Sequence, residues 1–300
     1  MAAQAEVPAE DPPPEATTQP SLDDLYDTGR VLFDLLAPPE IKDEYEFPTR
    51  EWWSEFAAEL QRALDEDSLE DLAAYEPEAR AALVALRTLP GGDEYADWLE
   101  ERLDYIVAAR AVQTEPPPPV APAPAAIPHL DLWRGRMASR PVPSRAEALL
   151  PGLRAAFAEE GVPEALAWLA EVESSFNPAA RSPVGARGLF QFMPGTAQDM
   201  GLSTSLPDER TDPEKSARAA AKYLRQLHAR FGDWALALAA YNAGPGRVRR
   251  TLDKHGATSY AAIAQVLPAE TQMYVPKVLA TVEARTGTAW AELVAPGPGA

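Results

Sequence analysis

The stretch Leu166–Leu202, LAWLAEVESSFNPAARSPVGARGLFQFMPGTAQDMGL, decides how the rest of the chain is read. Pro163 suits the first turn of a helix, and Leu166, Leu169 and Ala170 fall on one face at steps of three and four. The same stepping reaches Glu173, so the pattern places a carboxylate in the middle of an apolar stripe, near a helix end. Burial there disfavours the charged form and raises the pKa, which is what a general acid needs. Glu171 points to a different face, beside Ala167 and Trp168, and reads as the ordinary glutamate of the pair. A glutamate at a helix end is usually only solvated, so the case for Glu173 depends on the residues after it. Asn177-Pro178 ends the helix. Ser182-Pro183-Val184-Gly185-Ala186-Arg187-Gly188 forms a loop punctuated by Gly and Pro. Leu189-Phe190-Gln191-Phe192-Met193 is an apolar strip with one amide inside it, and Pro194 restarts a helix. A helix-end carboxylate, a tight loop and an apolar strip carrying Gln191 form the layout of a cleft wall.

Composition narrows the function classes. The chain has 300 residues, enough for two domains, and a formal charge of −19. Residues 1–115 hold 29 acidic against 8 basic side chains, or −21, and residues 116–300 hold 17 against 19, or +2. The acidic half would repel phosphate, which argues against nucleic acid and against adhesion to an anionic lipid surface. The near-neutral half can approach an anionic polysaccharide without strong repulsion. The chain has no cysteine, so disulfides, thiolate nucleophiles and Cys-based metal sites are excluded. His129, His228 and His255 are scattered without metal-ligand spacing, so no metal is expected. No run approaches the roughly 18 apolar residues of a membrane span, and Met1 to Pro20 lacks the apolar core of a signal peptide.

Taken in order, residues 1–20 are too polar and Pro-rich to bury apolar surface and are expected to be disordered. Residues 21–114 read as an acidic helical region. Ser21 caps a first helix with Leu22, Leu25, Tyr26, Leu32, Phe33, Leu35 and Leu36 on its apolar side. A second follows Pro48 with Trp52, Trp53, Phe56 and Leu60 as its buried row, and Ser68 caps a third. A fourth runs from Glu76 to Arg87, and Pro90-Gly91-Gly92 is a turn. A fifth runs from Asp93 to about Ala111 with Trp98, Leu103, Tyr105 and Ile106 inward. The acidic residues of this region read as its solvated faces. Residues 115–128 form a Pro-rich linker, expected to be extended and stiff. From His129 to Arg140, Leu130, Leu132, Trp133 and Met137 are expected to dock on a core. Ser144-Arg-Ala-Glu147 reads as a capping box. Asp212-Pro213 opens a long helix to Phe231, Gly232-Asp233 breaks and recaps it, and Gly244-Pro245-Gly246 turns the chain again. Ser259 caps a short helix. Pro268 starts the last long helix and sets Glu270 and Tyr274 one turn apart. Residues 295–300 are a loose tail. No strand-like alternation appears, so the fold is expected to be all-α.

Several of these residues also carry a family resemblance. Glu173-Ser174 is followed by Ser182-x-x-Gly185-Ala186-x-Gly188-Leu189-x-Gln191-x-Met193-Pro194 and Thr196-Ala197. Ala240-Tyr241-Asn242-Ala243-Gly244-Pro245-Gly246 and Glu270-Thr271-x-x-Tyr274-Val275 come later, in the same order as the motifs of a known family. Together they resemble the SLT-type lytic murein transglycosylases, most of all the membrane-bound type D branch. The resemblance covers about half the chain, from Trp133 onward. It implies a goose-type-lysozyme-like catalytic domain over 129–294, with room for a small β-hairpin between the signature helices. It also implies an enzyme, a carbon–oxygen lyase without a cofactor, acting on peptidoglycan glycan strands in the periplasm or cell envelope. Such an enzyme must be exported, so the sequence is expected to be a mature or trimmed chain, from which a membrane tether could have gone with the export signal. Type D relatives often carry LysM repeats after the catalytic domain, and none appears here. Either the chain is trimmed or the acidic helices do the targeting.

Glycosidic cleavage commonly uses two carboxylates. The motifs offer one, Glu173; Asp199, Asp208 and Glu209 lie downstream without motif support. The resemblance implies that the substrate's own N-acetyl group replaces the second carboxylate. Glu173 would protonate the oxygen between N-acetylmuramic acid and N-acetylglucosamine, then act as base on the muramoyl 6-hydroxyl to close a 1,6-anhydro ring. Ser182 and Gln191 would hold sugar acetamide or hydroxyl groups, and Tyr241 and Asn242 would orient the acetamide or Glu173. Phe192 and Met193 would be apolar walls, and Tyr274 a neighbour of the catalytic carboxyl. Each also has a packing or turn-forming reading, and for Phe192 and Met193 the two readings balance. Two alternatives stay open: a lysozyme-type hydrolase of the same bond, which needs a placed water and a second carboxylate, and a non-catalytic peptidoglycan-binding protein.

Overall fold

The structure, a computed structural model, describes residues 50–65, 69–88, 93–114 and 126–293. The expected helix from Ser21, the cap at Ser68, the turn at Pro90-Gly91-Gly92, both tails and the body of the Pro-rich linker lie outside the described residues. All regular structure within them is helical. Helices α1 (Arg50–Asp65), α2 (Leu69–Ala74), α3 (Glu76–Thr88) and α4 (Asp93–Thr114) precede the linker. After it come α5 (Leu130–Ala138), α6 (Ala146–Glu159), a 3₁₀ turn at Glu164–Trp168, α7 (Leu169–Ser174) and α8 (Pro194–Met200). The chain ends with α9 (Pro213–Phe231), α10 (Trp234–Ala243), α11 (Pro245–His255), α12 (Tyr260–Ile263), α13 (Ala269–Thr286) and α14 (Trp290–Leu293).

Local chemistry sets most of these ends. Asp212 accepts from the Glu214 and Lys215 amides, with Pro213 in the first turn, and Gly232 closes α9 at φ 70°. Asp233 then caps α10 through the Leu236 amide at 2.7 Å. The capping box expected at Ser144 does not form. The Pro143 carbonyl takes the Ala146 amide at 3.0 Å, so α6 begins two residues after Ser144 and no side chain caps it. Ser259 stands at the start of α12 but its hydroxyl makes no capping bond. The expected hairpin is reduced to two isolated antiparallel bridges, Arg181 with Arg187 and Arg187 with Phe192.

Helix α13 is the hub. It packs on α1, α4, α5, α7 and α10, and its residues from Ala269 to Val282 are all buried. The hydrophobic core runs unbroken from Phe56 and Leu60 of α1 through Tyr105 and Ile106 of α4 to Val278 and Val282 of α13. The shift in composition at the linker is therefore not matched by a break in packing.

The reading of the acidic residues as solvated faces is corrected on α4, because cations of the later half come to meet them. Glu101 is 0% exposed and accepts from Lys277 Nζ at 2.6 Å, while Lys277 itself is 1% exposed. Asp104 also takes Lys277 at 3.0 Å and pairs with Arg140. Burial alone would raise the Asp104 carboxyl, but Lys277 and Arg140 hold it down at about 2. Asp97 accepts from Asn177 at 2.7 Å and pairs with Arg145, and Glu94 pairs with Arg181. Removing one partner of a buried pair leaves an uncompensated charge, a loss of about 3–5 kcal/mol. Glu101→Ala should therefore lower the thermal midpoint by many degrees in differential scanning calorimetry, while Asp131→Ala on the exposed face of α5 should barely move it.

Candidate active site

Glu173 sits in the last turn of α7, and residues 165–174 are buried on every side. Burial of the whole segment brings Glu171 inside as well. Glu171 is not a solvated bystander: it is 1% exposed and takes Arg285 through both oxygens, at 2.6 and 2.9 Å. The helix ends because Ser175 and Phe176 adopt left-handed conformations, φ 48° and 58°. Ser174 donates to the Leu189 carbonyl at 3.0 Å, which ties the apolar strip to the helix bearing Glu173.

The loop is fixed by close packing and by one arginine. Ser182 Oγ accepts from the Ala186 amide at 2.9 Å, closing the turn. Gly188 has φ 80°, and a Cβ there would lie 1.8 Å from the Arg210 carbonyl oxygen, so only glycine fits. Arg210, which the motifs did not single out, donates to the carbonyls of Gly185 at 2.8 Å and Phe192 at 3.0 Å, across both ends of the loop. Asp208 holds it at 2.7 Å and also takes Arg187.

These elements enclose a cleft of about 330 Å³. On its lining the structure brings together Glu173, Ser182, Gln191, Phe192, Met193, Tyr241 and Asn242. Tyr274 does not line it. It lies buried behind Glu173 and donates its hydroxyl to Glu173 Oε1 at 2.6 Å. Gln191, at φ 47°, donates its amide to the Gly188 carbonyl at 2.9 Å, while its Oε1 is buried without a hydrogen-bond partner. The Tyr241 hydroxyl is committed to the Phe190 carbonyl at 2.8 Å, and Asn242 Oδ1 accepts from Thr271 at 2.6 Å. Phe192 is buried edge-on to Tyr241, and Met193 is exposed. Asp199, Asp208 and Glu209 are absent from the lining; Asp208 and Glu209 are bound to Arg210 and Lys215. The cleft also takes in residues to which the sequence reading gave no site role: Glu270 of α13, Trp98 and Arg102 of α4, and Gln61 and Asp65 at the end of α1.

Burial pushes the Glu173 carboxyl up to about 7, against the opposing pull of Arg102 and the hydrogen bond from Tyr274. Burial also raises the Tyr274 and Tyr241 hydroxyls well above the ordinary phenol value, so both stay protonated. Among the described residues no group of His, Asp and Glu is arranged to hold a metal ion.

Residues 153–264 match the Transglycosylase SLT domain. The resemblance to the SLT-type lytic murein transglycosylases is thereby borne out; the first two motifs lie within the match and the third lies beyond it. A soluble lytic murein transglycosylase of Salmonella typhimurium is 42% identical over 120 residues, 37% of this chain and 19% of that protein. The membrane-bound lytic murein transglycosylase D of Escherichia coli is 37% identical over 142 residues, 45% of this chain and 31% of that protein. This chain thus spans less than a third of the length of either relative. A solved complex of a 70-kDa soluble lytic transglycosylase with bulgecin A is 20% identical, covering 89% of this chain and 57% of that one, at a TM-score of 0.42, too low to bear on the fold. The SLT match includes Glu173, Gln191 and Tyr241 but stops short of Glu270 and Tyr274, and it begins after Trp98 and Arg102.

This geometry makes two outcomes testable. The folded carboxyl of Glu173 titrates above its unfolded value of 4.5, so ionising it as pH rises from about 4.5 to about 7 destabilises the fold. Glu173→Gln removes that loss: thermal melts should show a more stable variant above pH 7, by about 3 kcal/mol at most, with the advantage gone below pH 4.5. Gly188→Ala should distort the loop and abolish activity with the helical circular dichroism retained.

Proposed function

We propose that this protein is a peptidoglycan lytic transglycosylase that cleaves the β-1,4 bond between N-acetylmuramic acid and N-acetylglucosamine and leaves 1,6-anhydromuramoyl ends. The observation that carries the proposal is the buried Glu173 carboxyl, poised near neutrality, on the wall of the cleft. Of the other two carboxylates on the lining, Glu270 is bound to Arg102 and Asp65 is exposed at the end of α1, within 3.4 Å of the Gln61 amide.

In this reading Glu173 gives its proton to the glycosidic oxygen as the bond to the muramoyl C1 breaks. The substrate acetamide oxygen attacks C1 and carries the positive charge that develops there. The Glu173 carboxylate then takes the proton of the muramoyl 6-hydroxyl, whose oxygen closes on C1 and expels the acetamide. Glu173 ends protonated as it began, and no water is consumed. A pKa of about 7 suits a group that must be acid in one step and base in the next. Gln191 Oε1, the buried acceptor without a partner, takes an N–H or O–H of the sugar, and Ser182 also lines the cleft. Phe192, Met193 and the ring of Tyr241 supply apolar surface, and the side-chain amide of Asn242 faces the acetamide. Tyr274 holds the proton-bearing carboxyl in place from behind. The mechanism uses no cofactor. Its substrate places the enzyme in the periplasm or cell envelope, and no helix among the described residues is long and apolar enough to cross a membrane.

Mass spectrometry of muropeptides released from purified sacculi tests this directly. Anhydromuramoyl ends are expected, and mainly reducing N-acetylmuramic acid ends would make the enzyme a hydrolase instead. Glu173→Gln should lower turnover by about 10²–10⁴-fold while glycan binding persists. N-deacetylated glycan should bind and resist cleavage.

A further inference from the structure

Arg102 takes no part in that mechanism. It lies in the middle of α4, 7% exposed, with its guanidinium 5.4 Å from the centre of the Trp98 ring. Its contact with Glu270 is an ion pair at 3.1 Å, and its Nε and Nη1 are buried without hydrogen-bond partners. Glu270 Oε1 is likewise without a proper hydrogen bond. The other buried pairs of the fold look different: Lys277 with Glu101 and Arg285 with Glu171 are hydrogen-bonded at 2.6 Å. An arginine offers five donors in a fixed fork, and a pair that serves stability uses them. This pair is loosely bonded, and it stands on the wall of the cleft that holds Glu173.

We propose that Arg102 and Glu270 form a charge couple that positions the proton of Glu173, Arg102 favouring its release to the glycosidic oxygen and Glu270 favouring its return. The inference rests on Glu173 being the acid and base. Two requirements of the reaction point to the couple. When Glu173 gives up its proton, a carboxylate is left in a buried site, and a fixed cation nearby stabilises that charge without reorganisation. An unopposed cation would draw the Glu173 carboxyl down and leave it less often protonated. Glu270 opposes it.

The charged and titratable groups around Glu173 agree with this division. On α4, Glu101 and Arg102 act on it, and Tyr105 is held neutral by burial. On α13, Glu270 acts on it, Tyr274 donates to it, and Lys277 is bound to Glu101 and Asp104. On α10, Tyr241 is neutral, and on its own helix Glu171 is bound to Arg285. Arg102 pulls the Glu173 carboxyl down while Glu270 and Glu101 push it up, and burial outweighs both. Glu101 has its own cations, so Arg102 and Glu270 are the two that answer to each other.

The test uses the full chain and two readouts. The first is the pH dependence of kcat/KM on purified sacculi, whose alkaline limb reports loss of the proton from Glu173. The second is an infrared titration of the protonated carboxyl, assigned by its absence in Glu173→Gln, which needs no turnover. Arg102→Gln should move the titration to higher pH by about one unit or more. Arg102→Lys should leave it near the wild-type position, and Glu270→Gln should move it to lower pH. Folded variants that leave the titration in place, or move it in the same direction for Arg102→Gln and Glu270→Gln, would overturn the proposal. If Arg102→Gln does not fold by calorimetry, the other two variants decide it: the wild-type position kept in Arg102→Lys with a shift to lower pH in Glu270→Gln upholds the couple, and no shift in Glu270→Gln overturns it. Opposite infrared shifts in a protein that releases no anhydromuramoyl ends would uphold the couple and sink the transglycosylase reading.

Discussion

A carboxylate resists being taken out of water, and the arrangement around Glu173 follows from imposing that on it. The helix that carries it is buried on all sides, so the side chain can point only into the protein or into the cleft. From behind, Tyr274 donates to it at 2.6 Å. Beside it, Ser174 ties the helix to the apolar strip, so the acid and the strip carrying Gln191 move as one piece. In front, the loop is clamped between its own turn at Ser182 and the guanidinium of Arg210, with the Gly188 backbone pressed against the Arg210 carbonyl. Each contact fixes the carboxyl relative to the wall that would face the sugar. Positional control of this kind is what a proton transfer between heavy atoms about 3 Å apart demands.

The uneven charge of the chain has a structural use. Asp97, Glu101 and Asp104 lie four and three residues apart, on one side of α4, and that side meets the cations Arg140, Arg145 and Lys277 of the later half. Glu94 meets Arg181, one residue before the loop that begins at Ser182. The acidic half therefore does not simply repel polyanions. Part of its charge is spent inside, holding α4 against α13 and against the loop. A charged seam is less forgiving than an apolar one, because a shift of register would leave buried charges unmatched. That fixes where Trp98 and Arg102 stand relative to Glu173.

What could be read from the sequence was what acts locally. Helix ends at Asp212, Gly232 and Asp233 carry their own chemistry and fall where expected. Glu173 betrays itself by sitting on an apolar stripe. The strip and loop are legible because glycines and prolines punctuate them. Arg210 was missed because its role is wholly tertiary: it sits in a short polar turn and works on carbonyls 18 and 25 residues away. The capping box at Ser144 was over-read, because a backbone turn competes for the same amide. Glu171 was misjudged because a helix buried on every side has no solvent face to offer.

Arg102 is the instructive omission, because the apolar-stripe pattern that exposes Glu173 recurs around it. Trp98, Arg102, Tyr105 and Ala109 succeed one another at steps of four and three along α4, and all are buried. A cation on that stripe is as anomalous as a carboxylate on the other. The anomaly is masked because Glu100, Glu101 and Asp104 surround it in sequence and make it look like one more member of a solvated, mixed-charge surface. In space the two stripes converge on one cleft, and Glu270 reaches it from a third helix. The matched SLT segment, residues 153–264, contains one of these three charges; the other two come from α4 before it and α13 after it. The electrostatics of the acid are thus a property of the assembled fold rather than of the segment that carries the signature.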